Sequence, residues 1–264
     1  MMLWKCWRDL RLFVWIGLAW LGVVAATIVY AHLRGSAETH ITTASHAGRV
    51  MPEFVAALAM IQMAFVLLAW SMGTVGIGRD IGHDAGSWML TRPTPRGRFV
   101  WTEWASGLTA LALLLALAEF VWWLCMRLHI FRFVIESPNS TATPLFIEPV
   151  FPLELATVTS LCVFLLLALI FSVTHCGTVS LRHSTRGLIF CLGFLIAYAI
   201  LFHEIAHYGP TWMPRLPDLL LDPSAGGGPP VAYRPHLASS ILERLAVLPL
   251  FPLIAQFFLR RAEV

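Results

Sequence analysis

Long apolar runs separated by short polar stretches fill the 264-residue sequence. The clearest, Leu12 to Ala31, is long enough to cross the roughly 30 Å hydrocarbon layer of a bilayer as a helix. Similar runs follow at 54–76, 99–126, 155–174, 188–206 and 241–259. The pattern predicts an all-α integral membrane protein, a single domain over 1–264 with six transmembrane helices. The last run carries Pro249 and Pro252, which predict a kink, and its entrance holds Glu243 and Arg244. Ahead of the first run, residues 1–11 place Leu3, Trp7 and Leu10 on one helical face and Lys5, Arg8 and Asp9 on the other. That arrangement predicts an interfacial helix lying on the membrane. The run that follows is longer than the 7–15 residues of a signal-peptide core. No internal repeat is visible.

Composition agrees with lipid as the main solvent. Hydrophobic residues make up 58% of the chain and charged residues 12%, with a mean hydropathy of +0.74. A soluble domain carries about twice that charge to cover its surface. The five cysteines, Cys6, Cys125, Cys162, Cys176 and Cys191, form no CxxC pair, which argues against a disulfide framework or a zinc knuckle. They read as small buried apolar side chains. The net charge of +3 is too small to suggest nucleic acid as a partner. Its distribution orients the chain. With the N-terminus inside, Lys5, Arg8, Arg11, Arg79, Arg92, Arg96, Arg98, Arg182, Arg186, Arg260 and Arg261 are cytoplasmic, eleven of the eighteen basic residues. Both termini and the stretch 79–98 then face the cytoplasm, and the Pro- and Gly-rich segment 207–240 is an outer loop.

The stretch RDIGHDAGSWMLTRPTPRGRFVWTEW, Arg79 to Trp104, is the densest charge cluster in the chain. Pro93 and Pro95 divide it. A short helix over Asp80–Thr91, a proline turn and the start of the third span make a rigid elbow. The run Asp84, Gly86-Ser87, Met89-Leu90 and Thr91-Arg92-Pro93-Thr94-Pro95-Arg96 resembles the cytoplasmic signature of ABC-2 type transporter permeases. There an acid precedes a Gly-(Thr/Ser) step, a Leu-rich turn and an Arg/Ser-Pro-x-Ser-Arg motif. Here Pro95 replaces the usual Ser, Glu103 stands where a basic residue is common, and the acid is Asp. The resemblance implies a permease subunit of a bacterial ABC exporter in the cytoplasmic (inner) membrane. It implies a homodimer or heterodimer of permeases, with Asp80, Asp84, Gly86, Trp88, Arg92, Pro93, Arg96 and Arg98 forming a coupling helix and its flank against a separate ATPase. ATP and Mg would sit on that partner, and no cofactor on this chain. The chain's only lysine, Lys5, is not in a Gly-rich loop, so the chain has no Walker A motif of its own.

A rival signal is His203-Glu204-Ile205-Ala206-His207. On a helix the two histidines share a face and can hold zinc, with Glu204 as general base and Asp218 or Asp222 as a third ligand. That arrangement describes an intramembrane metalloprotease. The blander reading is a polar cluster at the outer membrane surface. A structural or assembly protein without transport activity is a third alternative. Gln62 and Glu119, polar residues in apolar runs, are candidates for a transport pathway. His175, Cys176 and His183 read as parts of a solvated cytoplasmic loop between the fourth and fifth spans.

Overall fold

The computed structural model describes residues 2–33, 38–42, 63–76, 96–127, 132–136, 145–147, 153–208, 241–242 and 245–261. Helix dominates: α1 Met2–Leu33, α2 Met63–Met72, α3 Arg96–Arg127, α4 Leu153–Leu181, α5 Ser184–Tyr208 and α6 Leu250–Arg261. In hydrocarbon a helix is the economical answer for a single segment, because it satisfies its own backbone hydrogen bonds. Three helices are long and apolar enough to cross a membrane: Trp4–Thr27, Gly97–Val121 and Ser160–Leu181. The remaining structure is a small sheet in which β1, Glu38–Thr42, pairs parallel with β2, Arg132–Glu136, and β2 pairs antiparallel with β3, Leu145–Ile147.

Side-chain contacts fix the direction of each helix. Lys5 meets Glu103 and Gly17 meets Leu114, so α1 and α3 run parallel. The parallel pairing of β1 with β2, the strands that follow them, says the same. Leu68 packs on Gly17, while Gly76 packs on Glu103, so α2 runs the other way. Trp104 donates to Ser172 Oγ at 2.9 Å and Gly107 receives the Phe171 ring, so α4 opposes α3. A tight turn at Arg182 and His183 reverses the chain into α5. Arg182 takes the left-handed conformation (φ 54°) and Gly187 N–H donates to the His183 carbonyl at 3.0 Å. In α6, Phe251 stacks edge-on against Phe194 and Gln256 accepts from Trp101 Nε1 at 3.1 Å, which returns the chain toward the start of α3. The N-terminus, Gly76, Arg96, Arg182 and Arg261 therefore gather at one end of the bundle.

The core centres on α4. In its membrane-crossing window 83% of the residues are buried, against 17% in α1 and 22% in α3. Small residues let the helices approach it, as in other membrane bundles. Gly107 on α3 makes room for Phe171, and Gly73, just past α2, for Thr174.

Three sequence expectations are corrected. The interfacial helix expected over residues 1–11 is not separate; residues 2–11 are the first three turns of α1, with no proline or glycine to interrupt them before Gly17. Two side chains also depart from the expected faces. Cys6 and Leu10 are buried and Lys5 turns inward toward a carboxylate on α3, while Trp7 faces out. Second, α4 does not end near Thr174. It continues to Leu181, and His175, Cys176, Thr178 and Val179 are buried within it instead of lying in a solvated loop. His175 stacks on Phe171 at 5.8 Å, and Gly177 packs against Phe190 of α5, so packing holds this polar run as helix. His183 alone of that group is exposed in the turn. Third, the sixth run is divided, not merely bent. Helical residues 245–247 precede a turn at Leu248 and Pro249, and α6 begins after it. Pro252 falls in its first turn, where a missing N–H is harmless.

A valine at Gly107 would occupy the space of the Phe171 ring. Gly107→Val is expected to lower stability by about 1–3 kcal/mol, read as an earlier thermal transition in detergent. Gly22, with nothing within 4 Å of its would-be Cβ, is the control site at which the same change has little effect.

Candidate functional site

Three charged side chains, Lys5, Asp9 and Glu103, converge where α1, α3 and the turn after α2 meet. Lys5 Nζ lies 3.3 Å from Glu103 Oε1 and 3.6 Å from Asp9 Oδ2. The Lys5–Asp9 contact is an i,i+4 pair on α1, and the Glu103 contact crosses to α3. Glu103 is 8% exposed and Lys5 12% as side chains, so this is a mostly desolvated ion pair. Asp9 also takes the Arg8 Nε at 3.4 Å, with Arg8 more than half exposed. The knot thus grades outward from a buried carboxylate to a wet guanidinium.

Gly76 closes the knot from the third side. Its φ of 104° is a conformation that side chains rarely adopt, and the Glu103 carboxylate occupies the space a Cβ would take. Chain direction and carboxylate position are therefore set together. The backbone of the preceding turn tightens, with Thr74 N–H donating to the Ser71 carbonyl and Val75 N–H to that of Met72, at 3.1 and 3.4 Å. A cavity of about 10 Å³, near the smallest volume that holds one water, is lined by Cys6, Asp9, Gly76, Glu103 and His175 among others. His175 Nε2 is buried there without a hydrogen-bond partner.

A second polar layer lies beside the first. Trp101 and Trp104, edge to face at 5.5 Å, direct their indole N–H groups to α6 and α4 through Gln256 and Ser172. One turn of α3 therefore bonds to α1, α4 and α6 at once.

The residues expected to couple to a partner are distributed unevenly. Asp80, Asp84, Gly86, Trp88, Arg92 and Pro93 lie outside the described residues, as do Gln62 and Asp218. Arg96 opens α3, and Arg98 is exposed on its first turn. Glu119 is half-buried near the far end of α3, next to the stacked Phe120 and Trp123, and far from the knot along the helix. The helical backbone of α5 runs through His203, Glu204 and His207 at the far end of the bundle, as an HExxH motif requires, but the side chains are outside the described residues. Among the described residues, no three His, Cys, Asp or Glu side chains gather as a metal-ligand set. Sequence reading missed the knot. Glu103 stood out only as an acid where the resemblance favours a base, and Lys5 as a lone lysine; neither observation says that the two meet.

Compared with models of known protein families, with curated proteins and with solved structures, the chain matches none.

Removing Lys5 leaves Glu103 buried beside Asp9 with no cation between them. Lys5→Met is expected to destabilise the bundle by about 3 kcal/mol, the cost of breaking a buried pair from one side. Lys5→Met/Glu103→Leu, which removes both charges, recovers most of that loss. A double-mutant cycle by thermal or denaturant unfolding in detergent reads the difference. Gly76→Ala is expected to lose about 1–3 kcal/mol from backbone strain, and Glu103→Ala in that background restores space but not the backbone.

Proposed function

We propose that the chain is the membrane permease subunit of an ATP-driven ABC exporter in a bacterial cytoplasmic membrane. It works as a dimer with a separate ATPase, both termini face the cytoplasm, and its six apolar runs form six spans. The bilayer and the ATPase are its partners, and the ATPase holds ATP and Mg²⁺.

The observation that carries this reading is how the roots of the elbow are mounted. The described residues that bracket the elbow of 79–98 are Gly76 before it and Arg96 and Arg98, which open α3. Gly76 is packed against Glu103, two turns into α3, and Glu103 is held by Lys5 of α1. The adjoining tryptophans tie the same stretch of α3 to α4 and α6. A segment that receives a push from an ATPase has to hand it to the spanning helices without slack. Roots tied to three further helices, α1, α4 and α6, meet that need. The gathering of Arg96, Arg98, Arg182, Arg186, Arg260 and Arg261 at the same end agrees with a cytoplasmic face. In this mechanism ATP-driven closure of the ATPases moves the elbows as rigid bodies, and the helices follow between inward- and outward-open states. The chain itself performs no covalent chemistry. Two polar residues of the apolar runs, Gln62 and Glu119, are the candidates for substrate contact.

Isolated from its native membrane, the protein is expected to retain an ATP-binding subunit through purification. Arg92→Ala and Asp84→Ala are expected to weaken that association by about tenfold or more, as loss of a paired interfacial charge does, and to uncouple ATP hydrolysis from export. Purification with no ATPase partner overturns the proposal. An intact complex with unchanged coupling in both variants overturns the assignment of the elbow. Zinc in the purified protein, with loss of activity in Glu204→Gln, would instead favour the protease.

A further inference from the structure

Beside the ion-pair knot, on the outer side of α1, an open groove of about 620 Å³ runs between that helix and the turn after α2. Arg8, Arg11, Leu12, Phe13 and Trp15 line one wall and Val75 the other, with Asp9 at the base. Two features set its chemistry. The first is charge. Asp9 lies 3.6 Å from Lys5, a cation it shares with Glu103, and accepts one bond from Arg8 Nε at 3.4 Å. A guanidinium carries five N–H donors, so Arg8 keeps the rest of its fork for another acceptor. Arg11 is exposed and has no ion pair among the described residues. The groove therefore offers two guanidinium groups against one carboxylate, a net positive lining.

The second feature is depth. From Leu12 to Thr27 the membrane-crossing part of α1 carries no charge. Leu12, Trp15 and Ile16 are 61%, 64% and 51% exposed, which on a membrane helix is contact with acyl chains. Arg11 immediately precedes this apolar stretch and Arg8 lies one turn earlier, a rise of about 5 Å. The arginines thus stand at the level of the headgroups, above an apolar wall. A free anion would use the arginines and leave that wall idle; a phospholipid uses both.

We propose that this groove binds the phosphate headgroup of an anionic phospholipid, with its acyl chains laid along Leu12, Trp15 and Ile16. Arg8 and Arg11 hold the phosphate by charge-assisted hydrogen bonds. Val75 places the bound lipid against the turn that ends at Gly76, so the lipid touches both α1 and the root of the elbow. The inference uses α1 as a membrane-crossing helix and stands or falls apart from the transport reading.

The test uses the full-length protein in nanodiscs and measures lipid retained on extraction by native mass spectrometry, with phosphatidylglycerol and phosphatidylcholine in competition. Phosphatidylglycerol is expected to be retained selectively. Arg8→Gln/Arg11→Gln is expected to lose about thirtyfold in that preference, the factor two basic residues contribute near an anionic leaflet. Arg8→Lys/Arg11→Lys is expected to keep most of it. Both positions are exposed, and an unchanged thermal transition in the glutamine variant checks that the bundle is intact. Equal retention of the two lipids, or an unchanged preference in the glutamine variant, overturns the proposal. So does displacement of the lipid by millimolar glycerol 3-phosphate or inorganic phosphate, which would mark a site for free anions.

Discussion

A carboxylate enclosed by apolar helices needs a positive charge within reach, and in this protein that requirement organises one whole end of the bundle. Glu103 takes the chain's single lysine, which draws α1 onto α3 in parallel. Lys5 is shared with Asp9, which is in turn shared with Arg8, so the buried pair is connected step by step to solvent. The far side of the carboxylate admits only a residue without a side chain, and Gly76 provides it, in a conformation that turns the chain out of α2. An apolar pair of similar volume would pack as well or better. What the ions add is definition. The pair sets Lys5 opposite Glu103, and with it the register of α1 against α3 and the position of the turn at Gly76.

The membrane character of the chain was plain in the sequence, because the length of an apolar run is set by the bilayer and needs no knowledge of neighbours. α3 was anticipated almost to its ends for that reason. Where the reading failed, packing had overruled local polarity. His175, Thr178 and Ser180 look like loop residues in isolation. Their helix persists because Phe171, Gly177 and the facing α5 enclose it. Lys5 likewise belongs on a wet face by any pattern of periodicity. It turns inward for a partner 98 positions away, and separations of that size leave no trace in one sequence.

Pathway candidates were chosen because they were polar where their surroundings were not. That criterion selected Glu119, which lies toward the far end of α3, and passed over Glu103, which sits near the helix start among other polar residues. Burial separates the two. An acid near the end of a span is ordinary by sequence and unusual only once the structure closes around it. The indole N–H bonds of Trp101 and Trp104 were hidden in the same way, since tryptophan near a span boundary suggests the headgroup layer before it suggests a helix-to-helix tie.

The helix that crosses the bundle with the highest mean hydropathy, α4, is also the one with least access to lipid. Oiliness and lipid contact are therefore separate properties here, and they place different demands on mutation. On α1, where the outward residues meet fluid acyl chains, any side chain of sufficient hydrophobicity serves, and shape is unconstrained. On α4, Leu165, Ala168, Phe171 and Val173 are each enclosed by other protein atoms, and the relevant currency is volume to within a methyl group. Variation among natural versions of this chain should be broad and chemically conservative along α1, and narrow and sterically conservative along α4.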